Sequence, residues 1–257
     1  MLHVEGLVKA YGDHLVLDGV DLDVARGQVL GLVGANGAGK TTLISIVAGL
    51  RRPDAGTVHV AGVDAVAHRA AAARHVGLAP QELGIYPTLT ARANLRTFAE
   101  LAGLRPRAAK VRAEEVAELL GLAHCLDQRA DTLSGGQKRR LHTGMAVLHR
   151  PDLLFLDEPT VGADVQSRAG ILDLVRDMAA AGTAVVYTTH YLTELEQLEA
   201  DIAVLDAGRI VAAAPVRELV ERWGTESVRV SPKSLESAYL ALTGRSTDKE
   251  PDDVVLA

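Results

Sequence analysis

Hydrophobic and polar positions change rhythm three times along this chain of 257 residues. Over the first sixty, short β-branched stretches at Leu2 to Val8, Val20 to Val24, Val29 to Val33 and Thr57 to Val60 are separated by Gly and Asp. That is the pattern of strands joined by tight turns. One helix, about Lys40 to Ala48, interrupts them and is ended by Gly49 and Pro53. From about Leu89 to Leu148 apolar residues recur every third or fourth position, as in Ala91 to Ala102 and Ala108 to Leu120, which predicts helices. The rest alternates: strand Leu153 to Leu156, helix Gln166 to Ala180, strand Ala184 to Thr188, helix Leu192 to Leu198, strand Ile202 to Leu205. Wholly apolar strands alternating with helices mark a parallel sheet covered on both faces, and the helical block between reads as an inserted lobe. The expected organisation is one α/β unit over 1–223 with its lobe at about 89–148, a short extension with a helix at 224–245, and a polar, disordered tail at 246–257.

Composition narrows the function classes. Hydrophobic residues make up 48% of the chain and aromatic residues only 3%, so the core must be built from Ala, Val and Leu. A net charge of -6 argues against coating nucleic acid by bulk electrostatics. The single cysteine, Cys125, rules out an intrachain disulfide and reads as a small buried apolar side chain. Met1-Leu2-His3-Val4-Glu5 lacks a basic stretch followed by an apolar one, so no secretory signal is expected, and no run reaches the ~20 apolar residues that cross a bilayer. The expectation is a cytoplasmic protein whose membrane role, if it has one, runs through a partner.

The strongest local signal is Gly34-Ala35-Asn36-Gly37-Ala38-Gly39-Lys40-Thr41-Thr42, which has P-loop spacing between an apolar strand and a helix. Glycines let the loop turn its amides inward as a nest for phosphate oxygens at a helix N-terminus. Lys40 would reach the β- and γ-phosphates of ATP, and the Thr41 hydroxyl would hold Mg2+. The second signal is Leu153 to Leu156 followed by Asp157-Glu158, a buried strand delivering two carboxylates at its C-terminal end, where open α/β sheets place ligands. Asp157 suits a magnesium ligand and Glu158 a base for an attacking water.

These two motifs indicate a P-loop NTPase and no more. Leu133-Ser134-Gly135-Gly136-Gln137 goes further, because it resembles the signature of ATP-binding-cassette (ABC) proteins. The resemblance runs from about Val4 to Val220. It implies a mostly parallel P-loop core with an N-terminal antiparallel β portion and an inserted α-helical lobe. It also implies that Ser134, Gly135, Gly136 and Gln137 cap the γ-phosphate bound on a second cassette. Tyr11 resembles the aromatic residue that stacks on adenine. Gln81 resembles the Gln-loop residue that touches magnesium, and His190 the switch histidine at the γ-phosphate. Gly162-Ala163-Asp164 resembles the loop that crosses to the partner cassette, with Val165 where many relatives have Pro. The run Lys138-Arg139-Arg140 points three ways on one helix, so it makes no basic face for nucleic acid and reads as solvated or as part of a cassette interface.

Within the family, Pro80 to Thr90, the start Gly136 to Leu141 and the end Ser234 to Arg245 resemble the exporter class that includes daunorubicin-resistance ATP-binding subunits. That implies an ATPase motor, peripheral on the inner face of the membrane, driving a separate transmembrane permease. Intact motifs favour a homodimer of cassettes over a heterodimer. Alternatives left open are an importer motor, an iron–sulfur assembly ATPase, and a translation-type soluble ABC protein. The cargo is not encoded in a motor subunit.

Overall fold

The structure, a computed structural model, describes residues 1–223. The helix expected within 224–245 and the tail at 246–257 lie outside the described residues. In chain order the elements are β1 (Leu2–Tyr11), β2 (His14–Val24), β3 (Val29–Val33), α1 (Lys40–Val47), β4 (Ala55–Val60), β5 (Val63–Asp64), α2 (Arg69–Ala72) and β6 (Val76–Ala79). Then come α3 (Ala91–Leu101), α4 (Pro106–Leu119), α5 (Gly135–Ala146), β7 (Leu153–Asp157), α6 (Val165–Ala180), β8 (Ala184–Thr188), α7 (Leu192–Gln197), β9 (Asp201–Asp206), β10 (Arg209–Pro215) and α8 (Val216–Trp223).

Two sheets organise them. An antiparallel sheet has the order β2-β1-β4-β5, and a six-stranded sheet the order β10-β9-β3-β8-β7-β6. The second is parallel throughout except for β10, which returns antiparallel on β9. β7 and β8 are buried at every position, as strands covered on both faces must be. Their side chains divide between two cores. Leu154, Leu156, Val185 and Tyr187 join the core shared with α3 to α6, while Leu153, Phe155, Ala184 and Val186 join the core under α1 and the antiparallel sheet. The two-residue period of a strand thus serves both faces at once.

Helix starts are set by short polar side chains. The Thr90 hydroxyl accepts from the Ala93 amide ahead of α3, Ser134 caps α5, and Asp164 caps α6. Pro106 opens α4, where its missing N–H costs nothing, and the exposed Val165 holds the equivalent position of α6, a site that accepts Pro or Val alike.

β5, α2, β6, β10 and α8 were not anticipated by the hydrophobic pattern. β6 is only four residues long and contains Gly77, so it offers too little periodicity to read. That glycine is required by packing: a Cβ there would lie 2.3 Å from the Ala146 carbonyl oxygen at the end of α5. β10 is alanine-rich and half-exposed at the sheet edge. It follows a two-residue turn in which Ala207 and Gly208 both have positive φ, the geometry that suits a hairpin's twist.

Candidate functional site

Four neighbouring strands, β3, β8, β7 and β6, end on the same edge of the parallel sheet. The residues that follow them are the glycine-rich loop, His190, Glu158 and Gln81. Motifs 150 positions apart in sequence are therefore adjacent in space.

The loop after β3 is shaped by backbone clearance. At Gly34 a Cβ would lie 2.2 Å from the Leu205 carbonyl oxygen, and at Gly39, with φ of 109°, it would lie 2.7 Å from the Leu17 side chain. Ala35 and Ala38 are buried, with the Ala38 amide donating to the Ala35 carbonyl at 3.1 Å. The Lys40 ammonium donates to the carbonyls of Gly34 (2.5 Å) and Ala35 (3.1 Å), folding back over the loop. Burial holds Lys40 below the usual lysine range, while the fields of Asp157 and Glu158 pull it back up. The lysine and the two carboxylates thus share one partly desolvated volume. Thr41 and Thr42 open α1, with Thr41 exposed.

Asp157 and Glu158 are both 7% exposed at the end of β7. The Thr188 hydroxyl donates to Asp157 Oδ1. The Glu158 amide donates to both the carbonyl and the hydroxyl of Thr188, at 3.1 Å each. Glu158 has φ of +50°, a left-handed conformation that a non-glycine residue holds only at a cost. The turn aims its carboxylate between two partners. Oε1 lies 2.5 Å from His190 Nε2, and Oε2 accepts from Gln81 Nε2 at 2.9 Å. His190 Nδ1 is buried with no hydrogen-bond partner among the described residues. Gln81, Glu158 and His190 thus stand in one row, Glu158 accepting a hydrogen bond from Gln81 and lying in ion-pair contact with His190.

Ser134 and Gln137 form a reciprocal capping box, Ser134 N to Gln137 Oε1 at 2.9 Å and Gln137 N to Ser134 Oγ at 3.2 Å. Among the described residues, the hydrogen bonds of Ser134 stay within this turn and do not reach the glycine-rich loop of its own chain. Gly136 is a contact point: a Cβ there would lie 2.2 Å from Ser167 Oγ and 2.6 Å from Asp164 Oδ2. Gly135 faces the Gly162 carbonyl at 3.5 Å on the same measure. The start of α5 and the loop before α6 are therefore seated on each other. Tyr11 lies at the end of β1, 42% exposed, its ring 5.5 Å from both the Lys9 ammonium and the Arg51 guanidinium. Among the described residues, no bond joins it to the row at Glu158.

The basic run on α5 is partly exposed and is also bonded to its own chain. Each residue is spent on backbone carbonyls of its own chain: Lys138 on Asp131, Arg140 on Leu120, and Arg139 on both Gln81 (2.5 Å) and Val161 (3.0 Å). Arg139 joins α5 to the loop bearing Gln81 and to the segment after Glu158, a role that no motif signalled. Cys125 is fully buried, its thiol donating to the Leu122 carbonyl at 3.3 Å.

An ABC transporter family profile matches residues 17–161. The linearmycin resistance ATP-binding protein LnrL of Bacillus subtilis is 39% identical over 241 residues, covering 93% of this chain and 78% of that protein. A daunorubicin resistance ATP-binding protein of Streptomyces coeruleorubidus is 41% identical over 252 residues, covering 96% and 80%. Among solved structures, an ATP-binding subunit of an ABC transporter superposes with a TM-score of 0.83 at 27% identity, covering 94% of this chain and 99% of its own. On this fold, with these motifs at the ends of neighbouring strands, the chain belongs to the ABC transporter family, as an ATP-binding and ATP-hydrolysing subunit of the daunorubicin-resistance class.

Proposed function

We propose that this chain is the motor of a membrane exporter: two cassettes close head to tail on two ATP molecules and drive a separate transmembrane permease. The observation that carries the catalytic part is the row in which Glu158 is held between His190 at 2.5 Å and Gln81 at 2.9 Å, beside a desolvated Lys40. In this reading Gly34 to Thr42 wrap the phosphates and Tyr11, exposed at the end of β1, stacks on adenine. Lys40 leaves the carbonyls of Gly34 and Ala35 to meet the β- and γ-phosphates. Glu158 orients a water and takes its proton as the water attacks the γ-phosphorus. His190 stabilises the charge growing on the γ-phosphate oxygens. The donor set of Thr41 hydroxyl, Asp157 carboxylate and Gln81 side-chain oxygen is all hard oxygen, which fits Mg2+. That ion supplies charge neutralisation on the phosphates when bound.

Ser134, Gly135, Gly136 and Gln137 serve the partner cassette. The capping box occupies the amides of Ser134 and Gln137, and the amides of Gly135 and Gly136 lie in the same first turn, a helix N-terminus that favours an anion. Residues 1–223 act as the ATPase unit, with the helical block at 89–148 as the lobe that transmits closure. Described residues hold no helix long and apolar enough to span a bilayer, so passage of cargo falls to the permease. The resistance names of the relatives support antibiotic export as the cargo class.

The test is Glu158→Gln. It should bind ATP as tightly as wild type, lose turnover by about 10²-fold or more, and accumulate as an ATP-dependent dimer in size-exclusion chromatography. Turnover at the wild-type rate would remove Glu158 from its role.

A further inference from the structure

One buried carboxylate outside the row has an unusual set of partners. Glu194, in the first turn of α7, is 1% exposed. Its Oε1 accepts from the Thr160 hydroxyl at 2.7 Å, and its Oε2 from the Tyr187 hydroxyl at 2.9 Å and the Thr189 hydroxyl at 2.8 Å. Arg168 Nε lies 3.2 Å from Oε1 as an ion pair, out of line for a hydrogen bond, and the same guanidinium lies 4.9 Å from the Tyr191 ring. Thr189 Oγ1 also accepts from the Tyr191 amide at 2.9 Å.

These partners sit at informative positions. Thr160 is two residues beyond Glu158, Thr189 is the residue before His190, Tyr187 lies in β8, and Arg168 lies in the first turns of α6, whose start is seated on Gly136. Burying a carboxylate costs several kcal/mol unless its lone pairs are filled, and an apolar side chain would fill this space without that penalty. What an apolar side chain could not do is accept three hydroxyls at once, one from the segment after β7 and two from β8 and the residue after it. An ionised carboxylate suits that task, because it only accepts. Tyr187 remains a donor, its hydroxyl pushed well above the usual tyrosine range by burial first and by Glu194 next.

We propose that Glu194 is a positioning residue for hydrolysis. Through Thr160 and Thr189 it fixes the loop that carries Glu158 against the loop that carries His190, and so sets the Glu158–His190 contact. The inference rests on the catalytic reading of Glu158 and His190 given above. It predicts a specific failure, since neither loop belongs to the strand, turn and helix that bind phosphate. Losing the carboxylate should slow the chemical step and spare nucleotide binding. An error of 1 Å in such a placement costs on the order of a hundredfold in rate.

The experiment is steady-state ATPase kinetics and fluorescent-ATP-analogue binding on the full-length chain, comparing wild type, Glu194→Gln, Thr189→Val and Thr189→Ser. A glutamine keeps the shape but presents an amide donor to groups that are themselves donors. The expected result is a kcat at least about tenfold lower for Glu194→Gln and Thr189→Val, with nucleotide Kd within about threefold of wild type. Thr189→Ser, which keeps the hydroxyl, should restore most of what Thr189→Val loses. If Glu194→Gln does not fold, the Thr189 pair carries the test alone. Unchanged kcat in the folded variants, or loss of kcat in step with loss of binding, overturns the proposal. Glu158→Gln, run in parallel, separates the two readings. A dead Glu158→Gln beside an active Glu194→Gln removes only the role of Glu194. An active Glu158→Gln removes the catalytic reading beneath it.

Discussion

His142 lies on α5 facing the loop that carries Gln81, 5% exposed, with the Gly84 backbone against its ring. Burial, aided by the nearby Arg139, pushes its pKa down to about 4. In the unfolded chain an imidazole titrates near 6.5. Between those values the unfolded state binds a proton that the folded state does not, so stability is full above about pH 6.5 and falls as the pH drops toward 4. The difference between pH 7 and pH 5 is about 2 kcal/mol for this group. His149, also lowered by burial, adds to the same slope. Urea unfolding of wild type and His142→Gln at both pH values should therefore show a smaller pH-dependent loss in the variant, by about 2 kcal/mol. Equal losses would mean that His142 is already free to protonate in the folded chain. Residues of this kind were invisible in the sequence, where a histidine inside a helix carries no sign of its burial. Lys40, Asp157 and Glu158 were legible because their chemistry is tied to fixed neighbours and to the end of an apolar strand.

At the scale of elements, α5 does three jobs within its first turns. Ser134 and Gln137 cap it, Gly136 lets it sit on Asp164 and Ser167, and Arg139 reaches the carbonyls of Gln81 and Val161. Its start coincides with the motif Leu133 to Gln137, where Ser134 and Gln137, three residues apart, close a capping box. The reach of Arg139 was not legible in the sequence, because which carbonyl a long side chain finds depends on loops that have no period. The guanidinium spans two acceptors in a fixed fork, a geometry that an ammonium does not reproduce. Arg139→Met and Arg139→Lys should both lower turnover about tenfold, with Lys failing to rescue, while urea unfolding shows losses of only about 1–3 kcal/mol. Wild-type kcat in Arg139→Lys would reduce the residue to a source of charge. The missed strands tell the same story: β6 has only four residues and β10 is an alanine-rich edge strand, and both are strands because of the neighbours they pair with.

For the whole molecule, strand–helix alternation was enough to predict a parallel sheet but not its order. That order, β10-β9-β3-β8-β7-β6, decides that four loops distant in sequence share one edge. It follows from how each crossover packs, which is a property of the assembled layers. The same holds for the motor's surroundings, because nothing in an ATPase edge specifies its cargo. Affinity purification of the tagged chain from detergent-solubilised membranes should bring down a strongly apolar protein in equal amount. A clean chain with ATPase activity and no companion would leave the ATPase intact and remove the exporter assignment.

The helical block enters from the end of β6 and returns to the start of β7, two strands that lie side by side and run the same way. Ala79 at the end of β6 is level with Leu156, so its two attachments are separated along the strands by three residue rises, about 10 Å. The far end of the block is not free: Gly136 is seated on Asp164 and Ser167, and Arg139 holds the carbonyls of Gln81 and Val161. Any shift of the block therefore reaches the loops on either side of Glu158 through the same few residues that start α5.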